Sequence, residues 1–376
     1  MSRLRYRPWW FARRDDGGVA SIVGILAATG VLLATAALTV DVGQLYAERE
    51  DLQNGADAAA MAIALDCSHK RVSECQAASA TAEDYANRTA RDGQADPTRV
   101  CGQDRTGWLP PCSAMNLERN ATACIGSRPA SGINYVEVYV RTERPVSSDR
   151  YILPPSFAQT LLGGTTAKGV GACARVAYGP PKHGLAFTIN VCEALAAENK
   201  VVPYSPWPPS SSDWGREVYL GVHGPAGRTC NPGTPPSGWS LPGGYDWLDE
   251  VSLCQFVLGD DGIYGGGSGS PPSQDCKDAL DDLRDSARIV AIPVYRWERG
   301  TGSNIEYQID HYMPFVVTGY HLPGLSDPSI VTGDDPCSGN DTCIYGFVLP
   351  FDAPIQDEVG EAVDGDLKLS VIKTIG

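Results

Sequence analysis

Five histidines, His69, His183, His223, His311 and His321, are the side chains best suited to proton transfer at neutral pH. They stand far apart and form no H-E-x-x-H pair, so the pattern excludes a helical zinc-hydrolase site. Serine chemistry is no better served. In Gly265–Ser270, Ser268 has Gly266 two residues before it but Ser270 two residues after, which breaks the G-x-S-x-G elbow. No G-x-x-x-x-G-K-[ST] run offers a phosphate cradle. Asp260-Asp261-Gly262, Asp334-Asp335 and Asn340-Asp341 group oxygen donors of the kind calcium takes, yet none has EF-hand spacing, and solvated turns are the plainer reading. Asp278, Asp281, Asp282 and Asp285 fall on the polar side of an amphipathic helix. A two-carboxylate glycosidase needs acids facing across a cleft, which this pattern does not place. No catalytic residue, cofactor or metal ligand is therefore assigned, with calcium the one ion the donor types would suit.

The twelve cysteines, scattered from Cys67 to Cys343, include no C-x-x-C knuckle. An even number without metal spacing points to disulfides made outside a reducing cytoplasm. Cys67 and Cys75 flank a helix junction, Cys101 and Cys112 bracket a proline-containing loop, and Cys337 and Cys343 a shorter one. These three pairs are the expected local bridges; the other six cysteines stay open.

The elements that position these residues begin with the amino terminus. Arg3, Arg5, Arg7, Arg13 and Arg14 face only Asp15 and Asp16, and Val19–Val40 then runs without a charged side chain. That is the signature of a membrane span with its basic flank in the cytoplasm. The net charge of −15 divides into +3 ahead of the span and −18 beyond it, and with a pI near 4.7 it excludes an electrostatic nucleic-acid binder. Ala34-Thr35-Ala36 has the form of a signal-peptidase site, the alternative to an uncut anchor. Beyond the span, Leu45, Leu52, Ala56, Ala59 and Ile63 form one helical stripe. Gly43 alone opposes helix there, so one rod is expected from Val19 to Asp66, about 60 to 70 Å long. Its alanine-rich face packs either on the chain's own globular part or between subunits.

The 376 residues allow two or three compact units. The expected division is a basic segment at 1–18, the span at 19–40, a helical module at 41–92, a small α+β domain at 93–200, a Pro/Gly/Trp-rich region at 201–272 and a C-terminal α/β or mostly-β region at 273–376. Within these, a second helix is expected over Ser73–Arg91, a half-buried strand over Asn134–Thr142, and strands over Lys168–Tyr178 and Leu185–Val191. Tyr264–Pro272 has linker composition. Asp275–Arg288 should be helix, Ile289–Tyr295 a buried strand, and Tyr307–Tyr320 one or two more. The fold class is thus α+β: a transmembrane helix continuing into a long extracytoplasmic helix, then disulfide-bonded outer domains.

Arg14-Asp15-Asp16-Gly17-Gly18, the apolar run, Val40-Asp41-Val42-Gly43-Gln44-Leu45-Tyr46 and Leu52-Gln53-Asn54-Gly55-Ala56-Asp57-Ala58-Ala59-Ala60 together resemble the amino-terminal module of TadE/TadG-like proteins of the Flp, or tight-adherence, pilus assembly system. The likeness covers about residues 14 to 66. Gly300-Thr301-Gly302, Val317-Thr318-Gly319-Tyr320 and the Cys337–Cys343 loop followed by Gly346-Phe347-Val348 are similar to larger actinobacterial TadG-type proteins. The resemblance implies a non-enzymatic minor pilin or assembly accessory, anchored in the cytoplasmic membrane by Val19–Val40 with its bulk outside. Pilus or secretion-system partners would be met through Asp41, Gly43, Leu45, Tyr46, Leu52, Gln53, Asn54, Ala56, Asp57, Ala59 and Ile63. Pilin-like relatives are cut after a glycine with a glutamate five residues on; here Gly18 is followed by Val23, which favours an uncut anchor. The D-x-S-x-S loop of the von Willebrand A domains in some large relatives does not occur. The rival readings are an adhesin, displaying Trp207, Trp214 and Trp239, and a tethered hydrolase, joining His311 or His321 to acids in a pocket.

Overall fold

A computed structural model describes residues 16–28, 30–69, 75–76, 80–90, 95–112, 123–142, 170–221, 230–244, 246–249, 253–257, 259, 262–266, 273–301, 304–323, 325–339, 341–362 and 367–376. Two helices open the chain, α1 (Asp16–Ala28) and α2 (Val31–Ser68). The expected single rod is corrected here. Gly30 takes φ 70°, ψ 2°, a left-handed conformation open to glycine at little cost, and its N–H bonds back to Ala27 O at 3.1 Å. The helix stops and restarts at that residue. α1 is then about 20 Å long, and only the first ten residues of the 38-residue α2 precede Asp41. Among the described residues no helix is long and apolar enough to cross a membrane, so the span expected at 19–40 is not one helix.

α3 (Ala80–Thr89) lies against α2, and β1 (Ala95–Gln103), β2 (Asn134–Thr142) and β3 (Gly171–Gly179) form an antiparallel sheet beneath them. From α2, Leu52, Ala56, Ala59, Ala60, Ile63 and Ala64 are buried against Val136, Val138, Val140, Ala174 and Val176. Small helix residues let the helix axis approach a valine-rich sheet closely, so one stripe serves both neighbours. β2 occupies the expected residues but is buried on both faces after Asn134, not on one. Its second face, Tyr135, Glu137, Tyr139 and Arg141, is covered by the loops that Cys101–Cys112 and Cys124–Cys173 hold down, together with Arg128.

The chain then builds β4 (His183–Leu185), β5 (Phe187–Asn190), α4 (Val191–Glu198), β6 (Val218–Leu220), β7 (Asp246–Trp247), β8 (Gln255–Val257) and β9 (Ile263–Gly266). It continues with α5 (Gln274–Ser286), β10 (Ile289–Arg299), β11 (Ile305–Leu322), β12 (Leu325–Asp327), β13 (Cys343–Val348) and β14 (Val371–Thr374). A second sheet runs β6-β13-β11-β10-β5-β7, with β9 and β12 also on β11, and is antiparallel except for β5 beside β10. α4 and α5 bury Ala194, Ala197, Leu280 and Leu283 in the core with Ile292, Val294, Phe315 and Val317.

Several expected elements differ in detail. Val191 starts α4 instead of ending a strand, because Asn190 accepts hydrogen bonds from the Cys192 and Glu193 amides and caps the helix. Residues 305–322 are one strand, bent by bulges opposite both neighbours. The expected linker at 264–272 begins inside β9, which pairs with β11; residues 267–272 lie outside the described ones. β14 returns to pair with β3, so the second sheet is built by a segment inserted between neighbouring strands of the first.

Candidate functional site

The residues singled out on the N-terminal helix divide into two groups along α2. In the distal half, Leu52, Ala56, Ala59 and Ile63 are turned into the chain's own core. Gln53 Nε2 donates to Cys173 O at 3.0 Å and to Asp57 Oδ1 at 3.1 Å, tying the helix to β3, while Asn54 is exposed. Gly55 lies where α2 and α3 touch: a Cβ there would meet Thr89 Oγ1 at 2.4 Å and Ala86 Cα at 3.2 Å. In the proximal half Leu38, Val40, Val42 and Tyr46 are exposed, Tyr46 by 70%, Leu45 is half-buried, and Ala37, Asp41 and Glu48 are covered. Gly43 is exposed with nothing near its Cβ position. Before the break, Val19, Ile22, Val23 and Ile25 of α1 are exposed as well. The helical region thus combines a stretch fastened to the sheet with a longer apolar surface that nothing described covers in full.

Residues 17–64 match the model of the family described as putative Flp pilus-assembly TadE/G-like. The N-terminal module is TadE/G-like. The match takes in α1, the break at Gly30 and nearly all of α2, and ends just before Cys67, whose disulfide to Cys75 ties down the end of the helix. No curated protein and no solved structure matches the chain.

Behind the sheet that holds the TadE/G-like module is a buried ionic knot. Glu137, fully buried, accepts from Arg128 Nε and Nη2 at 2.9 and 3.1 Å, Arg175 Nε at 2.7 Å and Tyr139 OH at 2.9 Å. Burial pushes its carboxyl up, but those hydrogen bonds outweigh burial and hold it below the ordinary carboxylate range. Arg175 Nη1 also donates to the carbonyls of Ile125, Gly126 and Ser127. Among the described residues, the one group of three potential metal ligands in close reach is Cys101, Cys112 and Glu137; its two sulfurs are joined to each other, so it offers no thiolate.

The inserted unit holds a second charged cluster, invisible in the spacing of its members. His311 Nε2 lies 2.6 Å from Glu198 Oε1 and its Nδ1 2.8 Å from Asp310 Oδ2; Lys368 Nζ is 3.4 Å from Glu198, and Arg296 Nε is 2.5 Å from Asp310. Burial lowers the imidazolium's pKa, but the two carboxylates outweigh that and raise it. Burial likewise opposes ionisation of Asp310, yet His311 and Arg296 bring it down to about 2. Both ring nitrogens are occupied and the imidazole is almost fully covered, so this is a packed charge cluster and not an open site.

His321 meets Ser326, Gly339 O and, at 3.5 Å, Asp335 Oδ1, and Asp335 also accepts from Tyr345 and Ser326. His223, Asp260, Asp261 and Asn340 lie outside the described residues. Of the three tryptophans, Trp207 packs edge-on against Phe347, Trp239 lies under the Arg299 guanidinium, and Trp214 is exposed. Cys67–Cys75, Cys101–Cys112 and Cys337–Cys343 are bonded, as are Cys124–Cys173, Cys192–Cys230 and Cys254–Cys276. Sequence reasoning missed Glu217, which accepts hydroxyl hydrogen bonds from Thr318, Ser329 and Thr332 and pins the loop after β12. Nothing in its sequence neighbourhood marks it.

Proposed function

We propose that the chain is a membrane-held, non-enzymatic component of a Flp-type pilus assembly apparatus. Its apolar N-terminal segment sits in the cytoplasmic membrane with the basic end inside, and its disulfide-bonded bulk lies outside, facing pilus or secretion-system proteins. The observation that carries the reading is the division of the TadE/G-like module: Leu52–Ile63 is built into the sheet, whereas α1 and the start of α2 leave Val19, Ile22, Ile25, Leu38 and Val40 uncovered. Water-exposed apolar side chains on successive turns are costly, and a bilayer removes that cost. The 20 helical residues of Val19–Ala28 and Val31–Val40 total about 30 Å, close to a hydrocarbon core, when the two pieces stack end to end. Six disulfides support an oxidising location for the outer unit.

Mass measurement of the native protein from membranes and from sheared surface filaments tests this. An uncut chain that resists carbonate extraction and loses only its outer part to protease added to spheroplasts supports an anchored assembly component. A chain starting at Val19 in sheared filaments moves the role to a shaft subunit, and one starting at Ala37 in the medium overturns the anchor.

A further inference from the structure

β4 and β8 form a separate two-stranded sheet, and a cavity of about 380 Å³ opens between β4, the start of β10 and α5. Its apolar lining includes Leu185, Ala279, Leu283, Ala291 and Ile355. Its polar lining is lopsided: Asp275, Asp278, Asp282 and Asp357 stand against the single guanidinium of Arg288. The three α5 carboxylates recur at three- and four-residue spacing and so share one helix face. Asp278 accepts from Gln274 Nε2, and Asp282 is 3.5 Å from Arg288 Nη2. The walls are stapled, since Cys254 beside β8 is bonded to Cys276 in the first turn of α5.

His183 supplies a directional acceptor. Asp357 takes the His183 backbone N–H at 2.8 Å and faces Nδ1 at 2.7 Å, so with the ring proton on Nδ1 this lining residue offers Nε2 as an acceptor. Tyr312 packs behind the Gly184 wall. Its ring edge lies 3.0 Å from the Cβ position of Gly184, a lining residue, and its hydroxyl is fully buried with no hydrogen-bond partner among the described residues.

We infer that this cavity binds an organic cation with an apolar stem, an alkylguanidinium or alkylammonium, either free or as the basic side chain of a partner protein. The stem fills the apolar floor, the charge meets the carboxylate rim and one N–H is donated to His183 Nε2. The volume suits one such group. The inference is independent of the pilus-assembly reading.

Calorimetric titration of the full-length protein in detergent with n-butylguanidinium, neutral n-butylurea, butyrate and a capped Ala-Arg-Ala peptide tests it. Butylguanidinium is expected to bind in the millimolar range or tighter, at least tenfold better than butylurea, with butyrate silent. Asp278→Asn with Asp282→Asn should weaken it at least tenfold. Asp285→Asn, on the same helix but paired with Arg284 outside the cavity, should leave it unchanged, with near-ultraviolet circular dichroism showing that each variant is folded. Tighter binding of the peptide assigns the cation to a partner's side chain, and equal binding to a free small molecule. Butylurea binding as well as butylguanidinium, a preference for butyrate, or no response to the cation overturns the inference.

Discussion

Replacing Glu137 by glutamine keeps the shape of the knot behind the first sheet and removes its only negative charge, leaving Arg128 and Arg175 in very different positions. Arg128's side chain is 43% exposed and can turn to water; Arg175's is 5% exposed, and its other partners are backbone carbonyls. Nearly all of the loss therefore comes from stranding one buried guanidinium, about 3–5 kcal/mol when one member of a buried pair is removed. With an m-value of about 2 kcal/mol per molar, the urea midpoint of the full-length protein falls by roughly 1.5–2.5 M. The double variant Glu137→Met with Arg175→Met removes both charges and should regain much of that loss, because two apolar groups of similar size need no partner. The assay is equilibrium urea unfolding in detergent with the disulfides intact, followed by tyrosine and tryptophan fluorescence and by circular dichroism. A single variant that loses less than about 1 kcal/mol, or a double variant no better than the single, would falsify the claim that Arg175 is desolvated and held chiefly by Glu137.

His311 gives a pH signature. Its raised pKa contributes stability that is whole below the ordinary imidazole value of about 6.5 and is lost as pH rises through the folded value, whereas Glu198 and Asp310 contribute above the ordinary carboxylate range and lose it on acidification. His311→Gln should therefore shrink the stability difference between mildly acidic and mildly alkaline buffer, read by thermal melts. Gly55→Ala should destabilise through its contacts with Thr89 and the Ala86 backbone despite a better helix former, and adding Thr89→Ala should recover part of that loss in the same melts. Replacing Cys124 and Cys173 by serine opens a 49-residue separation and should cost about 4 kcal/mol, against about 2 for the six-residue Cys337–Cys343 pair, measured by urea unfolding.

Legibility followed the range of the interaction. The Leu52–Ile63 stripe, the limits of β2 and most of α5 are written in local periodicity, and closely spaced cysteines have few partners to choose from. The second burial of β2 was not readable, because Tyr135, Glu137, Tyr139 and Arg141 look like a wet face until loops from residues 101–112 and 124–130 cover them. The break at Gly30 turns on one left-handed residue inside an unbroken apolar run, where composition favours continuity. α4 carried a readable sign in Asn190 followed by Glu193 at the third helical position. The His311 cluster joins residues 113 positions apart, and the His183–Asp357 pair 174 apart, distances at which a single sequence holds no spacing signal.

The return of β14 to β3 bears on how the protein would carry load. The inserted unit leaves the first sheet after Gly179 and comes back at Val371, which are register partners, and the two connecting strands are laced together by Pro181 with Val359, Lys182 N–H to Glu358 O and Gly360 N–H to Pro180 O. A single tether would let the inserted unit swivel and would pass all tension through one chain. Here two adjacent chains share it, so a pull on the inserted unit is divided between β3 and β14 before it reaches α2, and twisting meets resistance from a doubled neck.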